Sequence, residues 1–169
     1  MICFDTSVLI WGVQGRARPG QADMVERTRK YIRHLSEKKQ QIMVPSPVVQ
    51  EYLRGFESPL LEEQARLIER SFFVPALDFR AAVLAAQLQP RRDAAPSERA
   101  EAIDRQSVRV DAQVVAIAIA NHAEKIISGD PHLSKLAQGW IPVEDVPSIP
   151  EQMKLNYDEP HVAEDEPHE

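Results

Sequence analysis

Four acidic side chains stand where an α/β protein could gather them at one edge of its sheet. Asp5 and Asp130 each follow a short apolar run that is typical of a strand. Glu51 lies in the stretch VVQEYLRG, and Asp111 heads the apolar stretch DAQVVAIAIA. Parallel strands bring their carboxyl ends to a common edge, where open α/β sheets place their chemistry. Four carboxylates at that edge would repel one another unless they bound cations, so the pattern predicts a site for divalent metal ions.

Each of these acids also has a simpler explanation when it is taken alone. Asp5 and Asp111 could cap the helices that follow them, and Glu51 could lie on a solvated helix face. Asp130 stands in a Ser-Gly-Asp-Pro turn, where aspartate is common for conformational reasons. The set is more informative than its members, because all four are expected near one sheet edge. In that arrangement two acids end strands, and Glu51 and Asp111 lie in the first turns of helices.

Short apolar runs alternate with helical stretches along the chain, a pattern that favours a parallel sheet with helices on its faces. We predict an α/β fold of three layers, with a mostly parallel central sheet of about five strands and helices on both faces. The predicted strands are Ile2–Phe4, Ile42–Val44, Phe72–Val74, Lys125–Ile127 and Ile141–Val143. The main predicted helices are Ala22–Lys39, a helix carrying Glu51, Leu60–Arg70, Phe79–Gln89, Glu98–Ser107, Val110–His122 and Leu133–Ala137.

The composition is that of one ordinary globular domain. The chain has 169 residues, of which 43% are hydrophobic and 27% charged, and we assign residues 1–146 to the domain and 147–169 to a tail rich in proline and acid. No run approaches the roughly 18 apolar residues of a membrane helix. The opening stretch lacks the positive region of a signal peptide, so we expect a cytoplasmic protein. One cysteine, Cys3, excludes an internal disulfide and a Cys-rich zinc site.

The four acids and their neighbours resemble the PIN-domain nucleases, particularly the bacterial toxin-type members of the VapC type. That family pairs an opening strand ending Asp-Thr/Ser-Ser/Asn with a glutamate in a Val-x-x-Glu helix. A later aspartate begins an alanine-rich helix, and a final aspartate lies in a Thr/Ser-x-Asp turn. This chain supplies FDTS, VVQEYLRG, RVDAQVVAIAIA and ISGDPHL in that order, across residues 1 to about 145. The ordered set carries the resemblance, since each motif alone is weak.

The resemblance implies a metal-dependent ribonuclease. Such an enzyme hydrolyses phosphodiester bonds of single-stranded or structured RNA with metal-activated water, and one or two Mg²⁺ or Mn²⁺ ions suit a site made only of carboxylates. The match assigns catalysis and metal coordination to four acids: Asp5, Glu51, Asp111 and Asp130. Because the scheme does not use the ribose 2′-hydroxyl, the acids alone do not separate RNA from DNA.

Polar residues beside the acids are the candidates for substrate contacts. These residues are Thr6, Ser7, Arg109 and Ser128. The hydroxyls of Thr6 and Ser7 suit a phosphate, and equally suit the capping of a helix. Arg109 lies two residues before Asp111 and is the best candidate for the phosphate backbone. The other candidate arginines are expected to be solvated by default: Arg16, Arg18, Arg91, Arg92 and Arg105.

The chain also departs from a minimal member of the family. The linker Arg91–Asp104 is longer and more charged, and its neighbourhood offers Glu101 and Asp104 as alternatives to Asp111. We favour Asp111, because only it directly precedes the predicted buried helix. His132 is a candidate substrate contact, while the histidines as a group lack the ligand spacing of a zinc site. Both tryptophans, Trp11 and Trp140, are expected in the core or at a dimer contact rather than as base-stacking platforms.

Several functions are compatible with this sequence. A toxin of this kind would be held by an antitoxin protein, and we expect a homodimer with no attachment to a membrane. The alternatives are a housekeeping RNA-processing nuclease and a catalytically idle module that binds nucleic acid. A haloacid-type phosphatase would need a second aspartate at position 7, where Ser7 stands. The idle module is disfavoured because all four acids are present.

Overall fold

The computed structural model describes the backbone of residues 1–89 and 102–150, and the side chains of residues 1–89 and 108–150. Most of the linker Arg91–Asp104 and most of the predicted tail lie outside these ranges. The candidate residues Arg91, Arg92 and Glu101 lie outside them as well, as do the side chains of Asp104 and Arg105.

A parallel sheet of four strands forms the centre of the described chain. The strands are β1 (Ile2–Phe4), β2 (Ile42–Met43), β3 (Lys125–Ile127) and β4 (Val143–Glu144), in the spatial order β2-β1-β3-β4. Every strand pair is parallel, and β1 pairs with β2 on one side and β3 on the other. All three residues of β1 are buried, including Cys3. A strand that is covered on both faces needs such a continuous apolar run.

The predicted fold class is confirmed, but the number of strands was wrong. Phe72–Val74 is not a strand, because only Phe73 pairs with the sheet, through an isolated bridge to Met43. The amide of Phe72 instead closes a helix by donating to the carbonyl of Ile68. Pro75, two residues after Phe73, has no N–H with which to continue a ladder.

Eight helical segments surround the sheet in the described chain. They are α1 (Thr6–Leu9), a π-helix (Ile10–Gln14), α2 (Ala22–Glu37), α3 (Ser46–Leu53), α4 (Leu60–Ser71), α5 (Phe79–Leu88), α6 (Ala102–Ala120) and α7 (Pro131–Ala137). The helical periodicity of Ala22–Lys39 predicts a buried stripe of Met24, Tyr31, Ile32 and Leu35. On α2 all but Ile32 are buried, and Ile32 is partly buried. None of the described helices has the length and hydropathy needed to cross a bilayer.

Helix α6 corrects the prediction of two separate helices, Glu98–Ser107 and Val110–His122. The structure has one helix from Ala102 to Ala120, and that range contains neither glycine nor proline to interrupt it. Its second half is the most buried helix surface of the core, with Val114–Ala118 wholly buried. Asp111 therefore lies in the middle of a helix rather than at the start of one.

Candidate functional site

Strand pairing brings Asp5 and Ser128 side by side. Phe4 is opposite Ile127 in the β1–β3 pair, so the residues that follow the two strands are neighbours. The Ser128 hydroxyl donates to Oδ2 of Asp5 at 2.7 Å, and the Ser7 hydroxyl lies 3.4 Å from the same oxygen. The Asp5 side chain makes no capping hydrogen bond to α1. Capping therefore does not explain this acid.

Asp130 is tied to the same serine. Its backbone N–H donates to the Ser128 hydroxyl oxygen at 3.0 Å. Its own carboxylate accepts from the backbone N–H of His132 at 2.8 Å, through Oδ1. Asp130 is thus the N-cap of α7, with Pro131 in the favoured first position. One Ser128 hydroxyl consequently joins the residues that end β1 and begin α7.

Glu51 is attached to the site through Thr6. The buried Thr6 hydroxyl donates to Oε2 of Glu51 at 2.6 Å. Glu51 is exposed and lies in the second half of α3 (Ser46–Leu53), so its predicted place in the first turn was wrong. Thr6 begins α1 directly after Asp5. The hydrogen bond therefore links α3 to the end of β1.

Asp111 reaches the other acids from the middle of α6. The pKa of its half-buried carboxyl is raised from 3.8 to about 7, first by burial and then by the negative charges of Asp130, Asp5 and Glu51. Its mid-helix position excludes the capping role considered from the sequence. The charges of these three acids act on the Asp111 carboxyl, which associates Asp111 with the sheet edge that carries them.

No described lysine or arginine neutralises the negative charge at this edge of the sheet. The pKa of Asp5 is raised by burial, with smaller contributions from Glu51 and Asp130, although hydrogen bonds from Ser128 and from the Thr6 backbone oppose the rise. In the part of the chain that the structure describes, no lysine or arginine forms an ion pair with any of the four acids. The edge is therefore a site where bound positive charge would stabilise the protein.

The donor atoms suit a hard divalent cation, because all of them are carboxylate or hydroxyl oxygens. Within the described side chains, however, no three His, Cys, Asp or Glu residues are arranged tightly enough to hold an ion as they stand. The acids form an open cluster rather than a closed cage. Mg²⁺ commonly binds in this way, using one or two carboxylates together with water and substrate phosphate.

A contact that the sequence analysis missed shapes the turn carrying Ser128 and Asp130. Trp11, in the π-helix, is buried with 6% of its surface exposed. A Cβ atom added to Gly129 would lie 3.1 Å from Cη2 of this indole, closer than ordinary van der Waals contact. A larger residue at position 129 would therefore require the indole or the turn to shift by a few tenths of an ångström. The glycine between Ser128 and Asp130 was the feature of the sequence from which a close contact at this turn could have been predicted.

The remaining candidates are distributed around this cluster. Arg109 is exposed on α6, one half-turn before Asp111. Arg16 and Arg18 are exposed in the loop that follows the π-helix. His132 is exposed, and its charge lowers the pKa of Asp111. The core assignment was wrong for Trp140, which is 49% exposed.

Comparison with known proteins agrees with this architecture. The PIN domain family model matches residues 2–139. A VapBC2 structure from Rickettsia felis, bound to a promoter DNA fragment, aligns with 86% of this chain and 98% of its own at 12% identity and a TM-score of 0.58. A toxin-antitoxin complex from Klebsiella pneumoniae aligns with 88% of this chain and 100% of its own at 18% identity and a TM-score of 0.56. No curated protein sequence matches the chain. Because the family model spans most of the chain, this protein belongs to the PIN domain family.

Proposed function

We propose that this chain is a nuclease that hydrolyses phosphodiester bonds of RNA with the help of Mg²⁺ or Mn²⁺. The observation that carries the proposal is the electrostatic convergence of the acids. The pKa of Asp111 is raised first by burial and further by the negative charges of Asp130, Asp5 and Glu51. A PIN domain with four electrostatically coupled carboxylates, none of them paired with a described lysine or arginine, is suited to bind cations and, through them, a phosphodiester.

The four acids would hold one or two divalent ions between them. When bound, such an ion supplies Lewis-acid chemistry that acidifies water and neutralises the negative charge of the phosphate. Hydroxyl groups of the chain orient two of the ligands. Ser128 fixes one oxygen of Asp5, and Thr6 fixes one oxygen of Glu51. Such supporting contacts are a general property of metal sites and tune their affinity.

Asp111 is suited to exchange a proton for a cation. Its pKa of about 7 keeps a large fraction of the carboxyl protonated at neutral pH in the absence of metal. Binding of positive charge beside it would release that proton and leave the carboxylate as a ligand. We assign the phosphates of the substrate to the hydroxyls of Ser7 and Thr6, which adjoin Asp5, and to Arg109, which is exposed on α6 half a turn before Asp111.

We further propose that the protein is the toxin of a toxin-antitoxin pair, with an antitoxin protein as its partner. The support is that both similar structures described above are, by their descriptions, VapBC or toxin-antitoxin assemblies. This favours a toxin over a housekeeping nuclease. Expression of this chain alone should arrest growth of a bacterial host, and the Asp5→Asn variant should not.

The nuclease proposal is tested by cleavage of single-stranded RNA and of DNA with the same base sequence. Purified protein should cut the RNA in Mg²⁺ or Mn²⁺ and stop when a chelator is added. Asp5→Asn should lower the rate about a hundredfold or more, which corresponds to about 3 kcal/mol of transition-state stabilisation. Asp23→Asn, which alters an exposed acid on α2, is the matched control and should retain activity. Cleavage that persists in chelator, or that survives Asp5→Asn, would refute the proposed mechanism.

A further inference from the structure

A groove begins beside the acidic cluster and follows α7. Its volume is about 650 Å³. It starts at Pro131, the residue next to Asp130, and extends to the loop that joins α7 to β4. The lining includes Pro131, Ser134, Lys135, Gln138, Trp140 and Val143.

The groove presents a large aromatic side chain to solvent. Trp140 is 49% exposed, whereas Trp11 is 6% exposed. The backbone around Trp140 is fixed, since the N–H groups of Trp140 and Ile141 both donate to the carbonyl of Ala137. Gly139 has a φ of +81°, which lets the chain make this turn. An ordered turn therefore places the backbone of Trp140 at the groove wall, and half of the residue is open to solvent.

The charge of the groove favours an anionic ligand. The stretch from Pro131 to Val143 contains no aspartate or glutamate, although the whole chain has a net charge of −6. Lys135 is exposed in this stretch and forms no ion pair with any described residue. Ser134 and Gln138 add hydrogen-bonding groups to the lining. An aromatic platform beside a cation and polar side chains is the combination that binds single-stranded nucleic acid.

We propose that this groove binds single-stranded RNA beyond the bond that is cut, with a base stacked on Trp140 and a phosphate near Lys135. The inference rests on the proposed nuclease function, because the groove would guide the RNA strand away from the four acids that cut it. The seven residues of α7 span about 10 Å at 1.5 Å per residue. A strand held at Asp130 therefore needs to extend only a short distance to reach the indole.

The test measures binding of a short single-stranded RNA to the Asp5→Asn protein, which keeps the substrate intact. Stacking should quench tryptophan emission, and the quenching should vanish in an added Trp140→Phe substitution because Trp11 is buried. Trp140→Ala should weaken binding about tenfold. Lys135→Ala should make the slope of log affinity against log salt concentration shallower, by about the amount that one phosphate contact contributes. Phe79→Ala is the matched control, since Phe79 is an exposed aromatic residue on α5 (87%), and it should bind as the parent does.

The outcomes separate this inference from the proposed function. If wild-type protein cleaves RNA while Trp140→Ala binds and cleaves as the parent does, the groove proposal is wrong and the nuclease remains. If wild-type protein neither binds nor cleaves RNA, both proposals fall. If Trp140→Ala changes the sedimentation of the free protein and not its RNA affinity, the groove is a contact between copies of the chain, and the RNA proposal is overturned.

Discussion

Removing the charge of Asp111 should stabilise the metal-free protein, although it removes a proposed ligand. Asp111→Asn keeps the size of the side chain and deletes its negative charge. The wild-type carboxyl has its pKa raised from 3.8 to about 7 by burial and by the neighbouring acids. That difference corresponds to at most about 4 kcal/mol of destabilisation when the group is ionised. Because Asp111 is only half-buried, solvent screening should reduce the observed gain to about 1–2 kcal/mol.

The pH dependence has a definite sign. The folded protein binds more protons than the unfolded chain between pH 3.8 and about 7, since its pKa is the higher one. The favourable contribution is fully present below pH 3.8, is lost progressively between pH 3.8 and about 7, and is absent above that range. In chelator, the stabilising effect of Asp111→Asn should therefore be small near pH 5 and larger near pH 8.

Thermal melts decide whether this reasoning holds. In chelator near pH 8, Asp111→Asn should melt about 2–8 °C above wild type, given roughly 2–4 °C per kcal/mol for a chain of this size. Added Mn²⁺ should raise the melting temperature of wild type more than that of the variant, because ligand-linked stabilisation follows affinity. Asp23→Asn again serves as the control. Two results would refute the proposed repulsion. One is a melting temperature of Asp111→Asn below that of wild type in chelator near pH 8. The other is a gain in melting temperature over wild type that is as large near pH 5 as near pH 8.

Three further perturbations concern Ser128, Gly129 and the C-terminal tail. Ser128→Ala removes the hydroxyl that joins Asp5 to the Asp130 amide, so Mn²⁺ affinity measured by calorimetric titration should fall about 10–100-fold; unchanged affinity would contradict this role. Gly129→Ala should destabilise the fold by about 1–3 kcal/mol in denaturant titrations, because its methyl group meets the Trp11 indole. Adding Trp11→Leu to that variant should cost less than it does in wild type, and strict additivity would argue against the contact. Truncation after Pro150 should leave salt-dependent RNA affinity unchanged, since we expect the acidic tail to be solvated, whereas tighter binding would indicate that the tail mimics nucleic acid.

The parts of the fold that the sequence predicted were set by local signals. The strands Ile2–Phe4 and Lys125–Ile127 were predicted with their observed bounds, because each is a short apolar run that ends at polar residues. The position of Asp5 after the first strand followed from the same signal. Periodicity likewise identified the buried stripe of α2.

The errors arose where distant packing decides the outcome. The sequence between residues 98 and 110 is polar, which suggested a break before Asp111, whereas the helix runs on from Ala102. The Thr6–Glu51 hydrogen bond spans 45 residues of sequence and depends on the packing of α1 against α3. The exposure of Trp140 could not be inferred from the sequence either, because tryptophan occurs both in protein cores and on exposed surfaces.

The two outer strands of the sheet limit how copies of this protein can associate. The β2 edge is covered by the segment around Phe73, which bonds to Ile42 and Val44 before Pro75. The opposite edge, β4, has only two residues and is flanked by Pro142 and Asp145. Short, charged and proline-bounded edges resist the addition of a further strand, and with it edge-to-edge aggregation. Self-association of this chain should therefore use helix surfaces, and a dimer should form without extending the sheet from one copy into the next.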